Sequence, residues 1–173
     1  MRHMFPNLLI AALVAPACAT AAQGPPQASN PLQAGITLYQ QGRYAEAEVK
    51  LRSATGTEAS AYLAASLAKQ KKYVEAEAPA KTALAANPIH PVAVAALGES
   101  LAGQKKYDEA ITRLSAAIAA KNDLAYAYFW RAQSYYGKQQ PDKMVGDFET
   151  FLKLTPNAPE APTVRQLLAS LRR

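Results

Sequence analysis

Cysteine occurs once in the 173 residues, at Cys18, and histidine only twice. This excludes a disulfide framework and any Cys-rich zinc or iron–sulfur centre. Aromatic residues are 8% of the chain, and the nominal 50% hydrophobic content is carried largely by 38 alanines. A sandwich or barrel needs more Val, Ile, Thr and aromatic side chains than that, whereas alanine favours closely packed helices. Charge is sparse too, at 18%, with a net +6. The length allows one domain or one short repeat array.

The first residues read as an address. In residues 1–22 Arg2 supplies a positive start, Leu8 to Ala15 is an unbroken apolar run, and small residues follow. Ala17-Cys18-Ala19 and Ala19-Thr20-Ala21 both fit a small-x-small cleavage site, which is the pattern of a secretory signal peptide. Two competing readings are a retained membrane anchor and a lipidated Cys18. Pro16 and its small neighbours favour cleavage over an anchor, and Ala15-Pro16-Ala17 is a poor lipidation signal. Ordinary cleavage starts the mature chain near Gln23, without cysteine, which suits an exported and periplasmic protein. Residues 23–30 then form a flexible lead-in rich in Pro, Gly, Gln and Ser.

A period organises the remainder. The segments Gln41-Gly-Arg-Tyr-Ala-Glu-Ala47, Gln70-Lys-Lys-Tyr-Val-Glu-Ala76, Gln104-Lys-Lys-Tyr-Asp-Glu-Ala110 and Lys138-Gln-Gln-Pro-Asp-Lys-Met144 align. The last three are 34 residues apart, and the first stands 29 before the second. Twelve residues before Ala47, Ala76, Ala110 and Met144 stand Gly35, Ala64, Gly98 and Ala132, all small. Within the third unit Val94, Leu97, Gly98 and Leu101 share one helical face, and Tyr107, Ala110, Ile111 and Leu114 share another. Lys105-Lys106 makes the turn between them, Gly98 and Ala110 permit close approach, and Tyr44, Tyr73 and Tyr107 fill the space beside them. Asn87-Pro88 stops a helix, because the residue before Pro leaves the helical region.

These recurring residues resemble the tetratricopeptide repeat (TPR) family, whose 34-residue unit places small residues and a terminal Pro in this way. The resemblance implies an all-α, right-handed solenoid of about four helix–turn–helix units, near 31–56, 57–90, 91–124 and 125–158. The first unit is short, its second helix ending near Ser53. Pro79 should kink the second helix of unit two. Pro141 stands where the other units have Tyr and suggests a different turn. Residues 159–173 read as a capping helix, with Thr163 at its start and Val164, Leu167, Leu168 and Leu171 on its apolar face.

Such a solenoid implies action through a concave groove lined by the first helix of each unit. The matching places are Leu32, Ile36 and Tyr39, then Ala61, Ala65, Ala68 and Lys69, then Val92, Ala95, Glu99 and Ala102. Unit four supplies Tyr126, Phe129, Gln133 and Tyr136, with Trp130 nearby. The middle of this row is small, and six of fourteen aromatic residues gather at its C-terminal end. Aromatic anchors dominate interface energetics, so Tyr39, Tyr126, Phe129, Trp130, Gln133 and Tyr136 are the candidate partner-binding residues. Tyr128 and Tyr135 read as core, and Tyr126, Phe129 and Tyr136 have a competing role as cover for the capping helix.

A second candidate surface is basic. Arg43, Lys71, Lys72, Lys105 and Lys106, with Lys69 and Lys138, lie at or beside the helix turns and would form one edge of the stack. That edge is either a solubilising face or a contact for an anionic envelope surface. The export signal, the modest charge and the absence of aromatics among the Lys pairs argue against nucleic acid. The carboxylate clamp used by some TPR proteins has no cations in its places here. His90 sits in a Pro-flanked loop and reads as a surface residue. No Ser/His/Asp arrangement, phosphate-binding glycine loop or paired metal ligands can be assembled around it. The expectation is a non-catalytic adaptor without metal or cofactor, with a protein or peptide partner. The alternative is a membrane-associated structural adaptor using the basic edge or a lipid on Cys18.

Overall fold

A computed structural model describes residues 30–171. The expected signal peptide and cleavage site, Cys18 and most of the expected lead-in lie outside the described residues. Nine helices and no strand are found among those described. They are α1 (Pro31–Gln40), α2 (Tyr44–Arg52), α3 (Thr57–Lys69), α4 (Tyr73–Ala86), α5 (Pro91–Gly103), α6 (Tyr107–Ala120), α7 (Ala125–Gly137), α8 (Pro141–Leu154) and α9 (Ala161–Leu171).

Local chemistry sets these ends. Pro31, Pro91 and Pro141 open their helices, where a missing N–H costs nothing. Asn30 accepts the Leu32 N–H at 3.1 Å and caps α1. Gly42, Lys71, Lys105 and Gln139 occupy one repeat place and share a positive φ of 76°, 62°, 60° and 56°. This left-handed residue stops the first helix and turns the chain back into the second. Only the first unit uses the glycine that the conformation favours. The fourth unit keeps the same turn, which corrects the reading from Pro141. Proline is tolerated there because it occupies the first position of α8. Helix α2 has nine residues against fourteen in α4, α6 and α8, and α4 runs through Pro79 without a break.

Each first helix packs on its own partner and on the next first helix, so α1, α3, α5 and α7 stand side by side. The middle of the stack is built from alanine around Val94, Leu97, Leu101 and Leu114. Gly98 has a steric reason, since a Cβ there would lie 2.8 Å from Trp130 Cβ and 3.0 Å from Leu114 Cδ2. Tyr73 and Tyr107 lie against Gly103 and Gly137. Tyr73 and Tyr107 therefore fill the space between successive units, not the space beside Gly98 and Ala110.

The C-terminal core is different in kind. Phe129, Met144, Phe148 and Phe151 pack with Val164 and Leu168 of α9. Helix α9 thus closes the apolar end of the stack. Thr163 is not its cap, because the helix begins two residues earlier at Ala161.

Candidate functional site

The first helices form one wall of a cleft of about 460 Å³. Tyr39 and Tyr44 border it at one end; Tyr126, Trp130, Pro159 and Glu160 border it at the other. Ala65, Lys69, Val92, Ala95 and Glu99 lie between. The curl of the solenoid brings the first and fourth units to a common space.

The middle of this space carries charge. Lys69 Nζ donates to Glu99 Oε2 at 3.0 Å and lies 5.9 Å from the centre of the Trp130 ring. Burial raises the Glu99 pKa above the usual carboxylate range, against the opposing pull of Lys69. Tyr39 meets Tyr62 edge-on at 5.3 Å and Tyr44 at 5.4 Å. Burial, then the neighbouring Tyr44 and Glu99, push the Tyr39 phenol up to about 12. Tyr126 donates to Glu160 Oε2 at 2.8 Å, and burial together with that hydrogen bond raises its pKa as well. Both phenols are neutral donors at physiological pH. The cleft offers hydrogen bonds, ring faces and fixed charges, which is binding chemistry.

A smaller hollow of about 250 Å³ adjoins it. Pro159 and Glu160 border both spaces. Phe129, Gln133, Phe148, Thr163, Val164 and Leu167 complete the hollow.

Of the candidate groove residues, Tyr39, Tyr126 and Trp130 share the main cleft, and Gln133 borders the hollow. Phe129 is 6% exposed, with Trp130 and Phe151 both 5.0 Å away and Phe148 at 5.8 Å. It belongs to the core under α9, which corrects its reading as a primary contact. Tyr136 is 60% exposed and borders neither space. Tyr128 and Tyr135 are half-buried and flank Arg131, whose guanidinium lies 5.6 Å and 6.0 Å from their rings. They are the outer cover of the core rather than its interior. Ala61 and Ala68 are fully buried between helices, leaving Ala65 and Lys69 as the cleft-lining residues of α3.

The basic edge is partly neutralised. Lys72 pairs with Glu48 at 2.9 Å, Lys106 with Glu77 at 3.0 Å, Arg43 with Glu46, and Lys138 with Asp108. Lys71 and Lys105 are exposed and make no ion pair among the described residues. His90 is buried, not on the surface. Its Nδ1 accepts the Ala93 N–H at 3.4 Å, and its Nε2 lies 2.8 Å from Glu58 Oε2. No group of three or more His, Cys, Asp or Glu residues placed to hold a metal ion is found among the described residues.

Sequence reasoning missed Glu160 and Tyr44 as cleft residues. It placed Lys69 and Glu99 in the groove without seeing that they pair. Their separation of thirty residues, close to one repeat, was the available signal.

A tetratricopeptide repeat family model matches residues 67–134. Among solved structures, the fold is similar to TTC0263, a thermophilic TPR protein in Thermus thermophilus. The TM-score is 0.69 at 23% identity, covering 82% of this chain and 79% of that one. It is also similar to MamA from Desulfovibrio magneticus, with a TM-score of 0.61 at 24% identity over 80% and 79% of the two chains. YrrB, described as a TPR protein with an unusual peptide-binding site, gives a TM-score of 0.63 at 18% identity over 79% and 73%. Comparison with curated protein sequences found no match.

Proposed function

We propose that the chain, whose residues 67–134 match a tetratricopeptide repeat model and whose fold is similar to TPR solenoids, is a non-catalytic adaptor that receives a segment of a partner protein in its concave cleft. The observation that carries this reading is the cleft of about 460 Å³, walled by aromatic side chains from both ends of the stack. Preformed clefts lined by ring faces and a few fixed polar groups lower the ordering cost of binding on the receptor side. The peptide-binding site named for YrrB is in keeping with such a use of the fold. The pattern of residues 1–22 supports export, and the resemblance to TPR proteins is the basis for a role in assembling or organising an envelope or secretion complex.

The basic edge is a weaker basis for function. Two of its five cations, Lys72 and Lys106, are engaged by carboxylates of the preceding unit.

Ala95→Trp tests the cleft by filling it from a lining position outside the core. Wild-type protein on a resin should retain a partner from envelope extract, and the Ala95→Trp protein, equally helical by circular dichroism, should not. Equal retention by both proteins overturns the cleft reading. Export is tested separately by the intact mass of protein recovered from the periplasmic fraction, which should begin near Gln23.

A further inference from the structure

We propose that the cleft selects a basic side chain, lysine or arginine, with an apolar one beside it along the partner peptide. This rests on the reading of the cleft as a peptide site and adds the chemistry of what it accepts.

The cleft holds two carboxylates and one cation. Glu99 is satisfied by Lys69 at 3.0 Å. Glu160 accepts the Tyr126 hydroxyl at 2.8 Å and makes no ion pair among the described residues. By formal count the cleft lining therefore has one carboxylate in excess of its cations, on a chain whose net charge is +6. An acidic peptide segment or a free C-terminal carboxylate would meet that charge with repulsion; a cation would be attracted and desolvated beside it.

The walls favour the same occupant. Tyr39, Tyr44, Tyr126 and Trp130 present rings to the cleft, and ring faces attract ammonium and guanidinium groups. Lys69, 5.9 Å from the Trp130 ring centre, already shows this chain using one of them for a cation. Glu160 also borders the adjoining hollow, whose apolar floor is Leu167 above the buried Phe129, Phe148 and Val164. A peptide with its cation at Glu160 would place a neighbouring side chain over that apolar floor.

The test is a peptide-display selection from a random library on full-length wild-type protein and on the Ala95→Trp, Glu160→Gln and Glu160→Lys variants. The readout for individual synthetic peptides is the fluorescence of Trp130, the only tryptophan of the wild-type and Glu160-variant chains; binding to Ala95→Trp is read by anisotropy of labelled peptides. Wild type should enrich Lys or Arg beside Leu, Ile, Val or Phe. Glu160→Gln keeps an oxygen for Tyr126 but loses the charge, so it should weaken the selected peptides about tenfold. Glu160→Lys should remove the basic preference. Peptides that depend on the open cleft but show no basic enrichment, or ignore Glu160→Gln, overturn this inference and leave the adaptor reading standing. Selections that are identical on wild type and Ala95→Trp overturn both.

Discussion

Lys72 at the turn of the second unit donates to Glu48 in the second helix of the first unit, at 2.9 Å. The arrangement repeats one unit later, where Lys106 donates to Glu77 at 3.0 Å. Gln70 and Gln104 reinforce it, each donating to the same glutamate and to a backbone carbonyl of the preceding unit, Tyr44 or Tyr73. Turn and helix are thereby riveted across successive units. In a stack where stability comes from neighbour interfaces, these contacts fix register where alanine cannot.

This ladder makes the fold acid-sensitive. Burial opposes ionisation of Glu48, but hydrogen bonds from Lys72, Arg52 and Gln70 outweigh it and hold its pKa at about 2. Hydrogen bonds from Lys81 and Gln104 hold Glu77 at about 2 as well, with burial opposing. Folded values below the unfolded one give stability that is present above the unfolded pKa and lost as pH falls through the folded pKa. The urea midpoint should therefore drop between about pH 4.5 and pH 2, the window between those two states. Glu77→Gln should lower the midpoint at neutral pH and flatten its acid dependence. An unchanged acid profile in the Glu48→Gln/Glu77→Gln double variant would show that other carboxylates control the transition.

Phe129 and Tyr136 separate core from surface at the C-terminal end. Phe129→Ala removes a buried ring held among Trp130, Phe148 and Phe151 and should cost about 3–5 kcal/mol. The lost stability should appear first in α9, which rests on this cluster. Tyr136→Ala removes an exposed ring and should change stability by about 0.5 kcal/mol or less. Hydrogen exchange of the α9 amides, with urea denaturation of both variants, checks the contrast. Comparable costs at the two positions would mean that Tyr136 has a packing role.

The repeated left-handed residue gives a stabilising substitution. Lys105 holds φ 60° at a place where the first unit has Gly42. A side chain in that conformation costs on the order of 1 kcal/mol, partly offset by the greater chain entropy that glycine loses on folding. Lys105→Gly should raise the thermal midpoint, by the equivalent of about 0.5 kcal/mol, because Lys105 makes no ion pair among the described residues whose loss would oppose the gain. A fall in the midpoint would show that the exposed stem of Lys105 covers apolar surface worth more than the backbone relief.

The units themselves were legible because their steric requirements recur: small residues at Gly35, Ala64, Gly98 and Ala132, and tyrosine at three of the four turns. The ladder was less so. Glu48 and Glu77 share one repeat place, but Ile111 occupies it in the third unit and breaks the pattern. The cleft was legible only in pieces. Lys69 and Glu99 fall in corresponding regions of adjacent first helices, yet their pairing depends on how far one unit is rotated against the next. Tyr39 and Glu160 are further still from sequence logic. They meet in one space because small rotations accumulate over three interfaces, and no local pattern records that sum.

His90 shows how a loop residue can be structural. It is buried at the start of α5, accepting the Ala93 N–H through Nδ1, which leaves Nε2 to donate toward Glu58 on α3. It therefore caps one helix and ties it to the preceding unit. His90→Ala should lose both contacts and cost about 1–2 kcal/mol. His90→Asn keeps a side-chain acceptor at the cap and should recover about half of that. Glu58→Ala should be cheaper, since Glu58 is half exposed and returns to water. A double-mutant cycle between His90→Ala and Glu58→Ala, read by urea denaturation, measures the tie. A coupling of zero would assign the whole effect to the cap and leave the contact between the units without energetic weight.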